Sequence, residues 1–181
     1  PTGAVLSDSE ARGLAELAER HQIALLGFDV VFAEPAQRRT VDELRALARS
    51  KEPNGKLIND FLDRMAPALD HDVEFAKSIQ GLPVVLGYYF NQSTGNSSQR
   101  GGLPEPVLSA TDFNPDHPVF PRWSGYSGNL GGLSSAAISA GHFNLHVDPD
   151  GSARKVPLLV QYNDNFYESL SLSMLRQWIR I

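Results

Sequence analysis

Pro83-Val84-Val85-Leu86-Gly87-Tyr88-Tyr89-Phe90 is the stretch on which the fold turns. Apolar residues run through it without alternation, and Pro83 stops any preceding helix from continuing into it. Such a run suits a strand covered on both faces, and strands of that kind are typically parallel. A second run of the same character, Ile23-Ala24-Leu25-Leu26-Gly27-Phe28-Asp29-Val30-Val31-Phe32, lies upstream. Helical patterns fill the interval. Thr40 and Glu43 have capping-box spacing ahead of Leu44, Leu47 and Ala48. Leu57, Ile58, Phe61, Leu62 and Met65 form a helical stripe that reads as core. Asp70 or Asp72 caps a further helix, with Val73, Phe75, Ala76 and Ile79 on its apolar side and Gly81 at its C-terminal end. Strand, helices, strand is the order of a right-handed parallel crossover, so an α/β sheet is expected.

The pattern extends outward from there. Ser7 and Glu10 repeat the capping-box spacing before Leu14, Leu17 and Ala18, which predicts a helix over residues 8–21. Residues 91–130 lose periodicity and carry five prolines, Pro104, Pro106, Pro115, Pro118 and Pro121. Loops of that length are often functional, so the stretch is a candidate lid or partner surface, with plain irregular structure as the simpler reading. A short helix is expected within residues 131–141. His142-Phe143-Asn144-Leu145-His146-Val147-Asp148 alternates strictly, which in one strand puts Phe143, Leu145 and Val147 on one face and the polar residues on the other. Asp148-Pro149-Asp150-Gly151 reads as a turn and residues 154–162 as the returning strand. Leu170, Leu172, Met174, Leu175 and Trp178 mark a closing helix. The expected fold is α/β: a mixed, mainly parallel sheet flanked by helices, with a C-terminal antiparallel hairpin, in one domain over residues 1–181.

Composition narrows the function. Hydrophobic residues make up 41% and charged residues 20%, the profile of an ordinary globular domain. A net charge of −5 and a pI near 5.5 argue against nucleic acid, which is bound by clustered Lys and Arg. The basic pairs Arg38-Arg39 and Arg154-Lys155 are too small to alter this. With no cysteine, disulfides, thiol catalysis and Cys-rich zinc sites are excluded together, which leans toward export. No run approaches a membrane span, and the start lacks the form of a signal peptide. The chain opens on a helix signal and stops inside an amphipathic helix at Trp178-Ile179-Arg180-Ile181, so it reads as a fragment of a larger protein.

An ordered set of motifs carries a family resemblance. The set is Gly27-Phe28-Asp29-Val30-Val31-Phe32-Ala33-Glu34-Pro35, the Pro83 to Phe90 stretch, Gly141-His142-Phe143-Asn144, Asp148-Pro149-Asp150-Gly151 with Arg154, Pro157-Leu158-Leu159, and Tyr167-Glu168-Ser169-Leu170. In this order the chain resembles the second class of CHASE domains, the sensory extracellular domains associated with cyclases and histidine kinases. The resemblance covers most of residues 23–175. It implies a domain outside the cytoplasmic membrane, set between transmembrane helices and joined to a cyclase, histidine kinase or Ser/Thr kinase output. Family domains usually carry another strand, with an Asp, before the first helix, and the chain begins just after its expected place.

Ligands of open α/β sheets lie outside the carboxyl ends of the strands. That rule puts Asp29, Glu34, Tyr88 and Asn91 near one rim, with Arg154 as a partner for Asp29. These five are the expected ligand-binding residues. Each has a plainer reading: Asp29 as a structural acid held by backbone N–H groups or by Arg154, Tyr88 as an aromatic of the core. His142, His146 and Asp148 are metal-ligand types, yet alternate strand positions lie about 7 Å apart, and a solvated strand face is preferred. The Asp148 turn lacks the further oxygens of a calcium loop. Gly125-Tyr126-Ser127-Gly128-Asn129 misses the nucleophile-elbow pattern at its last glycine.

Three functions are carried forward. The first is a receptor sensor, needing no cofactor, that meets a small molecule or an extracytoplasmic protein and connects to the membrane through flanking helices. The second is an interaction module that forms a homodimer or docks a partner. The third, an α/β hydrolase using Ser127 beside His142, ranks last, so the chain is expected not to be an enzyme.

Overall fold

A computed structural model describes residues 13–14, 16–18, 20–35, 45–46, 55–65, 71–93, 98–112, 120–148 and 150–179. The elements are β1 (Leu26–Phe28), α1 (Gly55–Met65), α2 (His71–Ile79), β2 (Val84–Asn91), β3 (Gln99–Arg100), β4 (Leu108–Ser109), a 3-10 turn (Ala110–Asp112), β5 (Arg122–Trp123), β6 (Gly125–Ser127), α3 (Gly131–Ala136), β7 (Ser139–His142), β8 (His146–Val147), β9 (Ala153–Lys155), β10 (Leu159–Tyr162), β11 (Asn165–Glu168) and α4 (Leu170–Ile179). Helical backbone at residues 13–14, 16–18 and 20 falls inside the first expected helix. Its capping box, and that of Thr40 and Glu43, lie outside the described residues.

The β2 strand is the centre. It pairs in parallel with β1, Gly27 opposite Val85, and in parallel with β7, Gly141 opposite Gly87. Beyond those partners it pairs antiparallel with β6, which is parallel to β3. The fold is thus mixed α/β, and the stretch opening at Pro83 is the buried strand that its unbroken apolar run implied.

One face of β2 carries Val84 and Leu86, which form a core with Phe32, Phe75, Ile79 and Leu133, supplied from the β1 exit, α2 and α3. Phe28, Phe32 and Phe75 meet edge-on or tilted at 5.1 to 6.3 Å. Farther along, Tyr88 and Phe90 pack on Val160, Tyr162 and Tyr167 of a second sheet, ordered β4-β11-β10-β5. Each such buried aromatic or aliphatic side chain stabilises by about 1.5–3 kcal/mol.

The opposite face is lined with small residues, and α4 lies on it. A β-carbon at Gly141 would stand 2.5 Å from Leu170 Cα, one at Gly27 would run into the Met174 thioether, and the Ser139 and Ser173 hydroxyls meet at 2.8 Å. Without side chains there, helix backbone can approach sheet backbone closely.

Several expectations change. The stripe on α1 is not core: Leu57 is 73% and Phe61 60% exposed, and of the stripe only Leu62 is buried. Periodicity marks an apolar face without saying whether anything covers it. Residues 91–130 are not simply loop, since β3 to β6 are drawn from them; strands of two or three residues are too short to show a period. The strand expected from His142 begins earlier, at Ser139, because the residues that meet α4 are small rather than apolar. It also ends at His142, and β8 to β9 form a separate two-stranded ribbon around Gly151, whose φ of +80° suits the turn. The returning strand is interrupted as well: β10 pairs antiparallel with β11 through a turn at Asn163.

Candidate functional site

At the carboxyl end of β2 its parallel neighbours diverge, and two asparagine side chains take over their hydrogen bonding. Asn144 Nδ2 donates to Phe90 O and its Oδ1 accepts from Phe90 N, both at 2.8 Å. The carboxamide therefore acts as one more strand residue on the β7 edge. On the other edge Asn129 Nδ2 donates to Gly87 O at 2.9 Å, and its Oδ1 accepts from Phe32 N at 2.8 Å. Both residues are buried. Leaving a buried backbone group unpaired costs about 1–3 kcal/mol, which is what each contact prevents.

Between the sheets lies a group of polar side chains in aromatic surroundings. His142 is fully buried, edge-on to Phe90 at 6.0 Å, and its Nδ1 accepts from Asn144 N at 3.3 Å. Burial holds the imidazole pKa down at about 4. Burial, with Tyr167 and Glu168 nearby, pushes the Tyr88 hydroxyl well up. Tyr88 Oη, Trp123 Nε1 and His142 Nε2 have no hydrogen-bond partner. Glu168, 4% exposed, ends β11 and accepts from Arg176 of α4: Nε reaches the two carboxylate oxygens at 3.2 and 3.1 Å, and Nη2 reaches Oε1 at 2.5 Å. This ion pair ties the last described helix to the polar–aromatic region.

The five expected ligand residues do not converge. Tyr88 points into the buried aromatic cluster, away from the other four. Asp29 is exposed and unpaired with Arg154, because Arg154 is occupied in its own ribbon by Asp148 at 3.2 Å and Asp150 at 2.9 Å. Glu34 pairs with Arg100 of β3 on the surface. Asn91 Oδ1 accepts from Ser93 N at 3.0 Å and ends the strand. The rim rule orders strand ends along the chain, and the structure turns each of these side chains its own way.

The expected solvated histidine face divides: His146 is exposed and Asp148 part-exposed, whereas His142 and Asn144 turn inward. His142 and Asn144 are buried while Leu145 and Val147 are 55% and 58% exposed, since the strand breaks after His142 and the alternation does not continue through one sheet. Among the described residues no cluster of His, Asp and Glu could hold a metal. Ser127 is not hydrogen-bonded to His142, whose Nε2 has no partner, so the pair the hydrolase reading required is not formed.

Sequence reasoning passed over Asn129, Trp123 and Glu168 as site residues. Glu168 carried a signal: a lone carboxylate between Phe166-Tyr167 and an apolar helix must be buried with a partner or turned out. Asn129 carried none, lying in a stretch without period.

No curated protein and no solved structure matches the chain. No helix among the described residues is long and apolar enough to cross a membrane. A family model, the CHASE2 domain, matches residues 3–180, nearly the whole length. By that match the chain belongs to the CHASE2 family, whose members are extracellular sensory domains of signalling receptors.

Proposed function

We propose that this domain binds a ligand outside the membrane of a bacterium and passes the event through α4 to a membrane segment and an intracellular kinase or cyclase output. The observation that carries the reading is the Glu168–Arg176 pair, which couples the polar–aromatic region to α4 over eight residues. The small-residue face adds a second support. Met174 seated over Gly27, Leu170 over Gly141 and the Ser139–Ser173 hydroxyl contact hold α4 closely on the parallel strands, so a change in the domain reaches the helix directly. A ligand moves such a helix only to the extent that it binds one arrangement better than the other, about 1.4 kcal/mol for each tenfold change in population.

Arg176→Met in the intact receptor tests this. Removing the tie is expected to change basal or ligand-stimulated output by roughly tenfold while the domain stays folded by circular dichroism. A folded variant with wild-type output in both conditions would sink the reading.

A second reading, homodimerisation, is favoured by apolar exposure on two helices. Leu57 and Phe61 of α1, and Leu175, Trp178 and Ile179 of α4, are between 47% and 73% exposed. Sedimentation velocity over a wide concentration range separates the two: self-association without any ligand effect on stability supports the dimer module.

A further inference from the structure

Helix α1 meets the rest of the domain along a narrow strip. Leu62 is buried and Asn59 half-buried, and these two mark its inward side. At about 100° per residue, Leu57 and Phe61 fall on the outward side, with Ile58 and Met65 along one flank and Asp60 and Arg64 along the other. Leu57, Ile58, Phe61 and Met65 are all exposed. Leu57, Ile58, Asp60, Phe61 and Arg64 line a surface cavity of about 440 Å³. Asp63 is paired with Arg45 at 2.6 Å, whereas Asp60 and Arg64 make no ion pair among the described residues. The helix therefore presents an apolar ridge with one anion and one cation, a turn apart, along its side. Apolar surface rimmed by charge in this way marks an association face.

The charges select the occupant. A second copy of α1 laid antiparallel, across a twofold axis through Phe61, brings Phe61 onto Phe61 and Leu57 level with Met65 of the other copy. The same axis carries the charged flank of one helix onto the charged flank of the other. Asp60 then lies within about 3 Å, measured along the helix, of the second copy's Arg64, and the contact is made twice. A parallel pair would instead set each charged flank against Ile58 and Met65, with both charges beside apolar surface and unpartnered. A pattern that complements itself only in the antiparallel sense is what a twofold interface requires.

We propose that α1 is a homodimerisation surface, two copies packing antiparallel about Phe61 with reciprocal Asp60–Arg64 pairs. The proposal rests on the homodimer reading and places its interface on α1 rather than α4. A helix about 16 Å long covers less than the roughly 800 Å² per partner of a standard stable interface, so the dimer is weak in solution. Holding both copies in one membrane raises their effective concentration and strengthens it.

Sedimentation equilibrium of the whole chain at low salt is expected to show self-association with a midpoint of about 10 μM to 1 mM. Asp60→Arg and Arg64→Asp each oppose like charges across the axis, and each should weaken association about tenfold or more. Their equimolar mixture should associate within about threefold of the wild type, because a chain with two cations then meets one with two anions. The chain has no cysteine, so single cysteines report direction. Phe61→Cys should cross-link to itself under mild oxidation. Two copies of Leu57→Cys lie about 12 Å apart along the helices, beyond disulfide reach, and should not. Unweakened association of either charge variant, a mixture that stays monomeric while both variants are folded by circular dichroism, or self-cross-linking of Leu57→Cys would each overturn the assignment. A wild-type chain that is monomeric throughout overturns both the assignment and the homodimer reading, and gives the α1 face to a different molecule. A dimer that dissociates with Trp178→Asp but not with the charge variants keeps the homodimer reading, moves its interface to α4 and overturns the assignment to α1.

Discussion

The two halves of β2 are built on different principles. From Val84 to Leu86 the strand lies between two parallel neighbours, its hydrogen bonds are backbone to backbone, and its core-facing side chains are aliphatic. From Tyr88 to Asn91 one edge is held by a side chain, the packing is aromatic, and polar atoms remain unpaired. The first half offers no polar side chain at all. The second half carries the buried Tyr88 hydroxyl, and it lies next to the carboxylate that holds α4. Aliphatic and aromatic packing are thus adjacent segments of one strand, separated where its parallel neighbours leave it.

The strongest way to break this comparison is Asn144→Leu. It orphans both the N–H and the C=O of Phe90, at about 1–3 kcal/mol each, for a loss of roughly 2–6 kcal/mol in urea unfolding. Asn91→Ala, on the same strand end, removes only an Asx-turn contact to Ser93 and is expected to cost about 1 kcal/mol or less. Equal losses for the two would mean that the Asn144 carboxamide is not acting as a strand residue.

Acid offers the next test. The His142 pKa is about 4 in the folded chain, and an unfolded histidine sits near 6.5. The unfolded state therefore binds the proton first as pH falls. Stability from this group is complete above pH 6.5 and is lost as pH drops toward 4, in total about 3 kcal/mol. His142→Leu should flatten that part of the stability profile, measured by denaturant midpoint between pH 7 and 4. A profile of unchanged slope in the variant would show that His142 is not the buried neutral group responsible.

The smallest expected effects fall on the rim first suggested by strand ends. Arg154→Ala removes exposed pairs to Asp148 and Asp150, and Asp29→Ala removes an exposed carboxylate. Each should change the melting free energy by under about 0.5 kcal/mol and leave receptor output at its wild-type level. An output defect in either would place the ligand site on that surface rim.

Much of the scaffold was legible because it depends on patterns that local chemistry enforces. An unbroken apolar run has nowhere to go but between two covering layers, which is why Val84 to Phe90 was read as buried and parallel. Gly81 at the end of α2 and Gly151 in the ribbon turn have φ of +83° and +80°, conformations that glycine alone adopts freely, so their roles were visible as well. The small residues Gly27, Ser139 and Gly141 hold a fainter message. They meet one helix only after three strands have been brought side by side.

The site was decided elsewhere. His142 and Asn144 could be solvated or buried with equal local logic, because alternation states which residues share a face and not which face meets the core. Burial was settled when β7 stopped at His142 and the second sheet closed over Phe90. The same holds for Asn129, whose carboxamide bridges Phe32 and Gly87, 97 and 42 residues away in sequence. The sequence by itself determined the layered α/β scaffold and its family, because periodicity and glycine conformations are local properties of the chain. Only the tertiary structure decided where the unpaired donors gather, because a buried polar group is satisfied or orphaned by neighbours that are distant in the sequence.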